Sequence, residues 1–449
     1  MRSRMVPAAA RVLLAAAVAA LVLVVAPLVL RRGAPEAGAA PVASLSAAAG
    51  LTAPAVDGAE LDRLIALFSE RAPIRNESLE YRTLGRHLLT RAQMAGDLSD
   101  FVAADAAFAA ALDLHPDDRI SAAGRARVAL SLHDFVRARD LAVAVIAADP
   151  AALDAVAIAG DAALALGNVA AAGDYYDRLE AASGDPAVVV RRAQLAFESG
   201  DLAAALSAAD GAVQAAAGVG LEGRPLAFYQ TYAARLAQEV GDLERAVAYI
   251  EAAHEQAPSA PGTLAELARV AAATGDFSAA IEAYEAASAI VPDPVTLAAL
   301  GDLYALTGDA AAAEDRYATV GAIATLAGAN RQAYNRAYAQ FLADHDRDVA
   351  LALSLAEQEL EVRKDPVGYD AYAWALYRNG RFPEARAASE TALAAGGRRA
   401  VMLYHAGMIS AALGDADRAL AELQEAMALN AGFDPLQART AAEAIEALT

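Results

Sequence analysis

The sequence predicts an all-α fold built as an array of stacked helix pairs, and three observations carry that prediction. Proline recurs at an interval of 34 residues, Pro116 with Pro150 and Pro258 with Pro292. A period of that length marks stacked supersecondary units rather than one globular core. The chain of 449 residues is 57% hydrophobic but only 6% aromatic, and much of the apolar fraction is alanine. Alanine is the best helix former and lets two helices approach closely, so the composition excludes all but a trace of strand. Finally, a Gly-Asp pair recurs at Gly200-Asp201, Gly241-Asp242, Gly275-Asp276, Gly308-Asp309 and Gly414-Asp415. Glycine accepts the left-handed conformation that ends one helix, and aspartate accepts hydrogen bonds from the free N–H groups that open the next.

The first stretch long enough to cross a bilayer is residues 12–30, free of charge and broken only by Pro27, with Arg2, Arg4 and Arg11 before it. It reads as an export signal. Arg31 and Arg32 follow at once and the nearest small-residue cleavage site, around 37–39, comes late, which favours an uncleaved anchor over a cleaved signal peptide. Three arginines plus the amino terminus against two then place residues 1–11 in the cytoplasm and the bulk of the chain outside, or secreted if the signal is cleaved. Residues 31–58, rich in Ala, Pro, Gly and Ser, read as a flexible linker. Periodic sequence begins near Glu60, where Leu61, Leu64, Ile65 and Phe68 fall on one helical face, so residues 59–77 read as a helix before the repeats.

Lys and Arg total 36 against 57 Asp and Glu, a net charge of −21, which repels phosphate backbones and makes nucleic acid an unsuitable partner. With no cysteine the chain has no disulfide, thiolate metal site or cysteine nucleophile. No two of the six histidines stand at helical ligand spacing, and no phosphate-binding glycine loop or nucleophile elbow appears. The expectation is therefore no cofactor, no metal and no enzyme.

Each turn is followed, five residues after its glycine, by a buried-type alanine: Ala205, Ala246, Ala280, Ala313 and Ala419. A larger side chain there would push the two helices of a hairpin apart. Several repeats then place a bulky residue four positions on, at Tyr176, Ile250, Tyr284 and Tyr317. These residues resemble the tetratricopeptide repeat (TPR), and residues 261–292 match its pattern nearly throughout, with Ala268, Gly275, Ala280, Tyr284, Ala287 and Pro292 in place. The resemblance covers residues 78–433 and implies a superhelical solenoid of about ten antiparallel helix pairs, at 78–118, 119–152, 153–185, 186–219, 227–260, 261–293, 294–327, 328–365, 366–399 and 400–433. Three copies depart from the pattern. The first has a longer leading helix, residues 218–224 form an inserted loop, and the copy at 328–365 replaces the Gly-Asp turn with Asp344, His345 and Asp346. Ala438, Ala441, Ala442, Ile445 and Leu448 share one helical side, so residues 434–449 read as a capping helix.

TPR resemblance implies that the first helix of each pair lines a concave surface. The expected partner-binding patch is Asp370, Trp374, Tyr377, Arg378, Tyr404, His405 and Met408, residue types that bury large area at modest entropic cost. Such rings serve equally well to pack neighbouring first helices together. A second candidate is the polar set Asn330, Arg331, Asn335 and Arg336, beside a buried stripe of Tyr334, Tyr338 and Phe341. The leading expectation is a scaffold at the cell envelope that binds a peptide or helix of another protein. The alternatives are a small-molecule or glycan receptor or hydrolase with Asp370 and His405 as acid and base, and a self-associating architectural protein.

Overall fold

The computed structural model describes residues 58–95, 98–329 and 335–449. The apolar segment 12–30, almost all of the linker, and Asn330 and Arg331 lie outside the described residues. Among the described residues there are 22 helices and no strand, and no helix is long and apolar enough to cross a membrane.

Helix α1 (Gly58–Arg75) precedes ten helix pairs. The first five are α2/α3 (Ser78–Ala95, Leu98–Leu114), α4/α5 (Arg119–Ser131, Phe135–Ala148), α6/α7 (Leu153–Ala165, Val169–Ala182), α8/α9 (Pro186–Glu198, Leu202–Gly218) and α10/α11 (Arg224–Glu239, Leu243–Gln256). The second five are α12/α13 (Pro261–Ala273, Phe277–Ile290), α14/α15 (Pro294–Thr307, Ala310–Ala329), α16/α17 (Asn335–Asp344, Val349–Val362), α18/α19 (Pro366–Arg378, Phe382–Ala394) and α20/α21 (Ala400–Ala412, Ala416–Leu429). A lone helix, α22 (Pro435–Leu448), follows.

The turn chemistry accounts for the hairpins. The glycines at 200, 241, 275, 308 and 414 all have φ between 78° and 92°. The following aspartates each accept the backbone N–H three residues on, as Asp201 does from Ala204 and Asp415 from Arg418. Each such cap contributes about 1 kcal/mol. The pair α16/α17 turns without glycine: Asp346 (φ 55°) takes the left-handed position and Asp348 (φ 34°) caps Leu351. The lengthened leading helix is α2, with 18 residues where α4 has 13. The insertion near 218–224 is in part helical, because α9 runs on to Gly218 before the loop.

Small residues set the spacing within each pair. Ala205, Ala246, Ala280 and Ala419 are fully buried, and Ala313 nearly so. A methyl group on Gly160 would stand 2.6 Å from the Tyr176 ring, and one on Gly301 2.5 Å from the Tyr317 ring. The glycine of a first helix thus leaves the space that the ring of its second helix fills. First helices of successive pairs also approach one another closely, while the second helices do so less, so the array curves with its first helices on the inside.

That curvature closes a full superhelical turn after six pairs, and successive coils touch. The loop before α18 lies on the α6/α7 turn, where a methyl on Gly167 would meet the Lys364 carbonyl at 2.6 Å. In the same way a methyl on Gly200 would stand 3.0 Å from the Gly396 carbonyl, and one on Gly241 would overlap the Leu429 carbonyl. Side chains bind the seam: Arg399 reaches Glu198 at 2.8 Å and stacks over Phe197, Arg363 donates to the Ala165 carbonyl and stacks over Phe135, and Asn430 donates to the Gln238 carbonyl at 2.6 Å.

Two substitutions separate turn strain from seam contact. Gly275 and Gly241 share a positive φ, but nothing lies within 4 Å of a methyl on Gly275. Gly275→Ala costs about 1–2 kcal/mol, the left-handed penalty alone. Gly241→Ala adds about 1–3 kcal/mol by forcing the upper coil away. Urea titration with hydrogen exchange at Asn430 checks this, and equal effects of the two changes would contradict the seam.

Candidate functional site: the concave wall of the C-terminal pairs

The sequence-predicted patch forms one contiguous cluster on α18 and α20. Trp374 stacks on Tyr377 (ring centroids 4.6 Å, 7°) and on His405 (4.2 Å, 15°), and Tyr404 tilts against Trp374 at 5.7 Å. Arg378 sits over the Trp374 ring and pairs with Asp346 at 3.2 Å. Met408 packs against the same cluster. The cluster divides by exposure. Asp370, Trp374, Tyr404 and His405 are only 1–3% exposed, so they pack the inner wall, whereas Tyr377, Arg378 and Met408 are half-buried and present surface.

His405 Nδ1 lies 3.0 and 3.1 Å from the two oxygens of Asp370. Burial disfavours the imidazolium, but the Asp370 carboxylate outweighs it and holds the His405 pKa above the ordinary value. In this conformation the pair is closed to a substrate. Of the second candidate set, Asn335 opens α16 but its side chain lies outside the described residues. Arg336 is engaged at the seam, 2.9 Å from Asp365. It lines a cavity of about 180 Å³ between the coils, with Phe135, Asp161, Tyr176, Arg363 and Asp365. The charges of that cavity answer one another: Asp161 is held by Arg191 at 2.8 Å, and Arg363 lies 3.3 Å from Asp365.

Residues outside the sequence-predicted patch complete the wall. Asp302 on α14 accepts from Tyr317 (2.7 Å) and lies 2.6 Å from His345 Nε2. Burial opposes the charge of His345, yet the bond to Asp302 keeps its pKa raised. Asp344, at the end of α16, accepts from Trp374 Nε1 and from Gln437 Nε2, both at 2.8 Å. Asp434 caps α22 by accepting from the Gln437 N–H at 2.8 Å. The surrounding protein and then the charge of Asp302 push Asp434 up to about 7, and desolvation also raises Asp344. The unusual turn at 344–346 was the one visible signal for this group. The rest depends on which pairs face each other across the concave side. Among the described residues no group of side chains is placed to hold a metal ion.

Among the described residues, stacked helix pairs with an aromatic inner wall define an all-α helical-repeat solenoid. Family models described as tetratricopeptide repeat match residues 123–187, 237–299 and 371–433. Similar solved structures include the APC/C hetero-tetramer Cut9–Hcn1, at 12% identity over 86% of this chain and 90% of that chain, TM-score 0.44. A tetratricopeptide repeat protein from Parabacteroides merdae is 16% identical over 59% and 99% of the two chains, TM-score 0.34. Yeast Tom70 is 14% identical over 82% and 96%, TM-score 0.33. No curated protein matches this chain.

The raised Asp434 fixes a sign for pH dependence. Between its ordinary value of 3.8 and about 7 the folded chain binds more protons than the unfolded one, so stability falls as pH rises through that window. The raised His345 and His405 act in the same direction, their contribution being lost as pH rises above the ordinary histidine value. Asp434→Asn keeps the cap and removes the charge. It should raise the thermal midpoint at pH 8 and leave it nearly unchanged at pH 4, and an equal shift at both would refute the assignment.

Proposed function

We propose that this chain is a protein-interaction scaffold whose concave wall receives a helix or peptide segment of a partner protein. The carrying observation is the half-exposed edge of Tyr377, Arg378 and Met408, backed by a buried Trp374–His405–Tyr404 stack. Rings held rigid by packing offer large contact area at little entropic cost, and an arginine beside them adds a directed donor. The net charge of −21 favours basic partners and disfavours nucleic acid. The uncharged run at 12–30 after three arginines supports display of the scaffold at the cell envelope, facing away from the cytoplasm. An acid–base role for His405 and Asp370 has no support, since both are 1% exposed and bonded to each other.

The test is affinity recovery from the native host with the full chain and a Tyr377→Ala/Arg378→Ala/Met408→Ala variant. These side chains are half-exposed, so the variant keeps its helical circular dichroism. We expect a stoichiometric partner protein whose recovery falls at least tenfold with the variant, and unchanged recovery by the folded variant would overturn this site. Membrane and soluble fractions of the host test the envelope placement, which fails if the full chain is found in the cytoplasm.

A further inference from the structure

The helix α22 has two sets of contacts, and only one belongs to a cap. Against α20 and α21 it packs as the first helix of an eleventh pair would. It also reaches across the concave side to α14, a first helix three pairs before the last, and its Gln437 bonds Asp344 at the end of α16. The strap before it is tied down at the seam between coils, with Gln238 donating to the Gly432 carbonyl and no room for a methyl on Gly432 beside the Ala273 carbonyl (2.5 Å). The chain's own last helix therefore lies in the groove of its C-terminal pairs.

Its hold is shallow and imperfect. Ala438 and Ala441 are buried, while Ile445 and Leu448 are only half-buried and Ala442, expected on the same side, is exposed. Alanine brings little apolar area to a contact. Gln437 Oε1 and His405 Nε2 are buried without a hydrogen-bond partner, which costs about 1–3 kcal/mol for each group left so. The Asp434 and Asp344 carboxylates both accept from Gln437, and burial, followed by the charges of Asp302 and Asp344, raises the Asp434 pKa. A segment docked with these mismatches is poised for exchange.

We infer that α22 is the resident occupant of a helix-binding groove formed by α14, α16 and α20, and that a partner binds there by displacing it. This rests on the scaffold reading above and specifies the partner segment. That segment is an amphipathic helix with small or aliphatic residues at i, i+3, i+7 and i+10, as in Ala438, Ala441, Ile445 and Leu448, and a neutral N-cap in place of Asp434. The neutral cap follows from the three carboxylates at the mouth, faced otherwise by His345, His405, Tyr317 and Tyr404.

The test uses the full chain with Ala441→Glu, which puts a charge on the docked face, and the native Trp374 as a fluorescent reporter, since it is the only tryptophan. We expect amides of 435–448 to exchange at least tenfold faster while those of α18 and α20 keep their protection. A synthetic peptide of residues 432–449 should then restore the native Trp374 emission, and the same peptide with Asp434→Asn should bind several-fold tighter at pH 8 but not at pH 5. Loss of protection spreading to α18 and α20 would make α22 a structural cap and overturn the inference. So would a detached α22 with no peptide binding. In the unmodified chain, excess labelled peptide should speed exchange of the resident α22, and an unchanged rate likewise overturns it. Peptide binding without any partner recovered from the host by the Ala441→Glu chain would leave the groove standing and refute the scaffold reading instead.

Discussion

Where the first helix of a pair carries glycine or alanine at the crossing point, the second helix can set a whole side chain against its backbone. Gly160 under Tyr176, Gly301 under Tyr317 and Gly407 under Leu423 are three instances, each leaving 2.5–2.6 Å between the neighbour and a hypothetical methyl. The spacing of the pair, and through it the rotation from one pair to the next, follows from these small residues. A solenoid integrates such rotations along its length. Six pairs here bring the chain back over itself, so a local packing rule becomes contact between residues such as Gly200 and Gly396, or Glu198 and Arg399.

The seam that results changes how the array behaves mechanically. An open solenoid transmits strain only between neighbouring pairs, but this one has a second set of links between coils, made by Arg363, Arg399 and Asn430. Arg399 and Glu198 lie between the coils at 17% and 19% exposure, where an ion pair is worth more than at an open surface and costs more to break. The concave wall near α14–α20 is thus held from behind by the seam and in front by α22. Its aromatic stack is preorganised behind the helix that lies upon it.

Much of the architecture could be read from local residues because its determinants are local. The Gly-Asp turns, the alanines after them and the ring positions each depend on one hairpin. The pair at 335–362 was harder, since Asp346 and Asp348 adopt positive φ where the other described hairpin turns use glycine or, in the α4/α5 turn, His133. The candidate patch was legible as a set, because Trp374, Tyr377, Tyr404 and His405 recur at first-helix positions. Which of them face solvent was not, since that depends on rotamers and on neighbours in the next pair. Asp302, Asp344 and Asp434 come together only through the superhelical path, and no spacing in the sequence encodes that.

The coils close on one another in solution. The chain contains no cysteine, so two can be introduced for spin labels without background. Labels at the exposed positions Ala203 and Ala394, on either side of the seam, allow a distance measurement by electron–electron double resonance. Contact between coils predicts one short, narrow distance distribution that broadens with Gly241→Ala and not with Gly275→Ala. A long or broad distribution in the unmodified seam would show an open spiral and contradict the account.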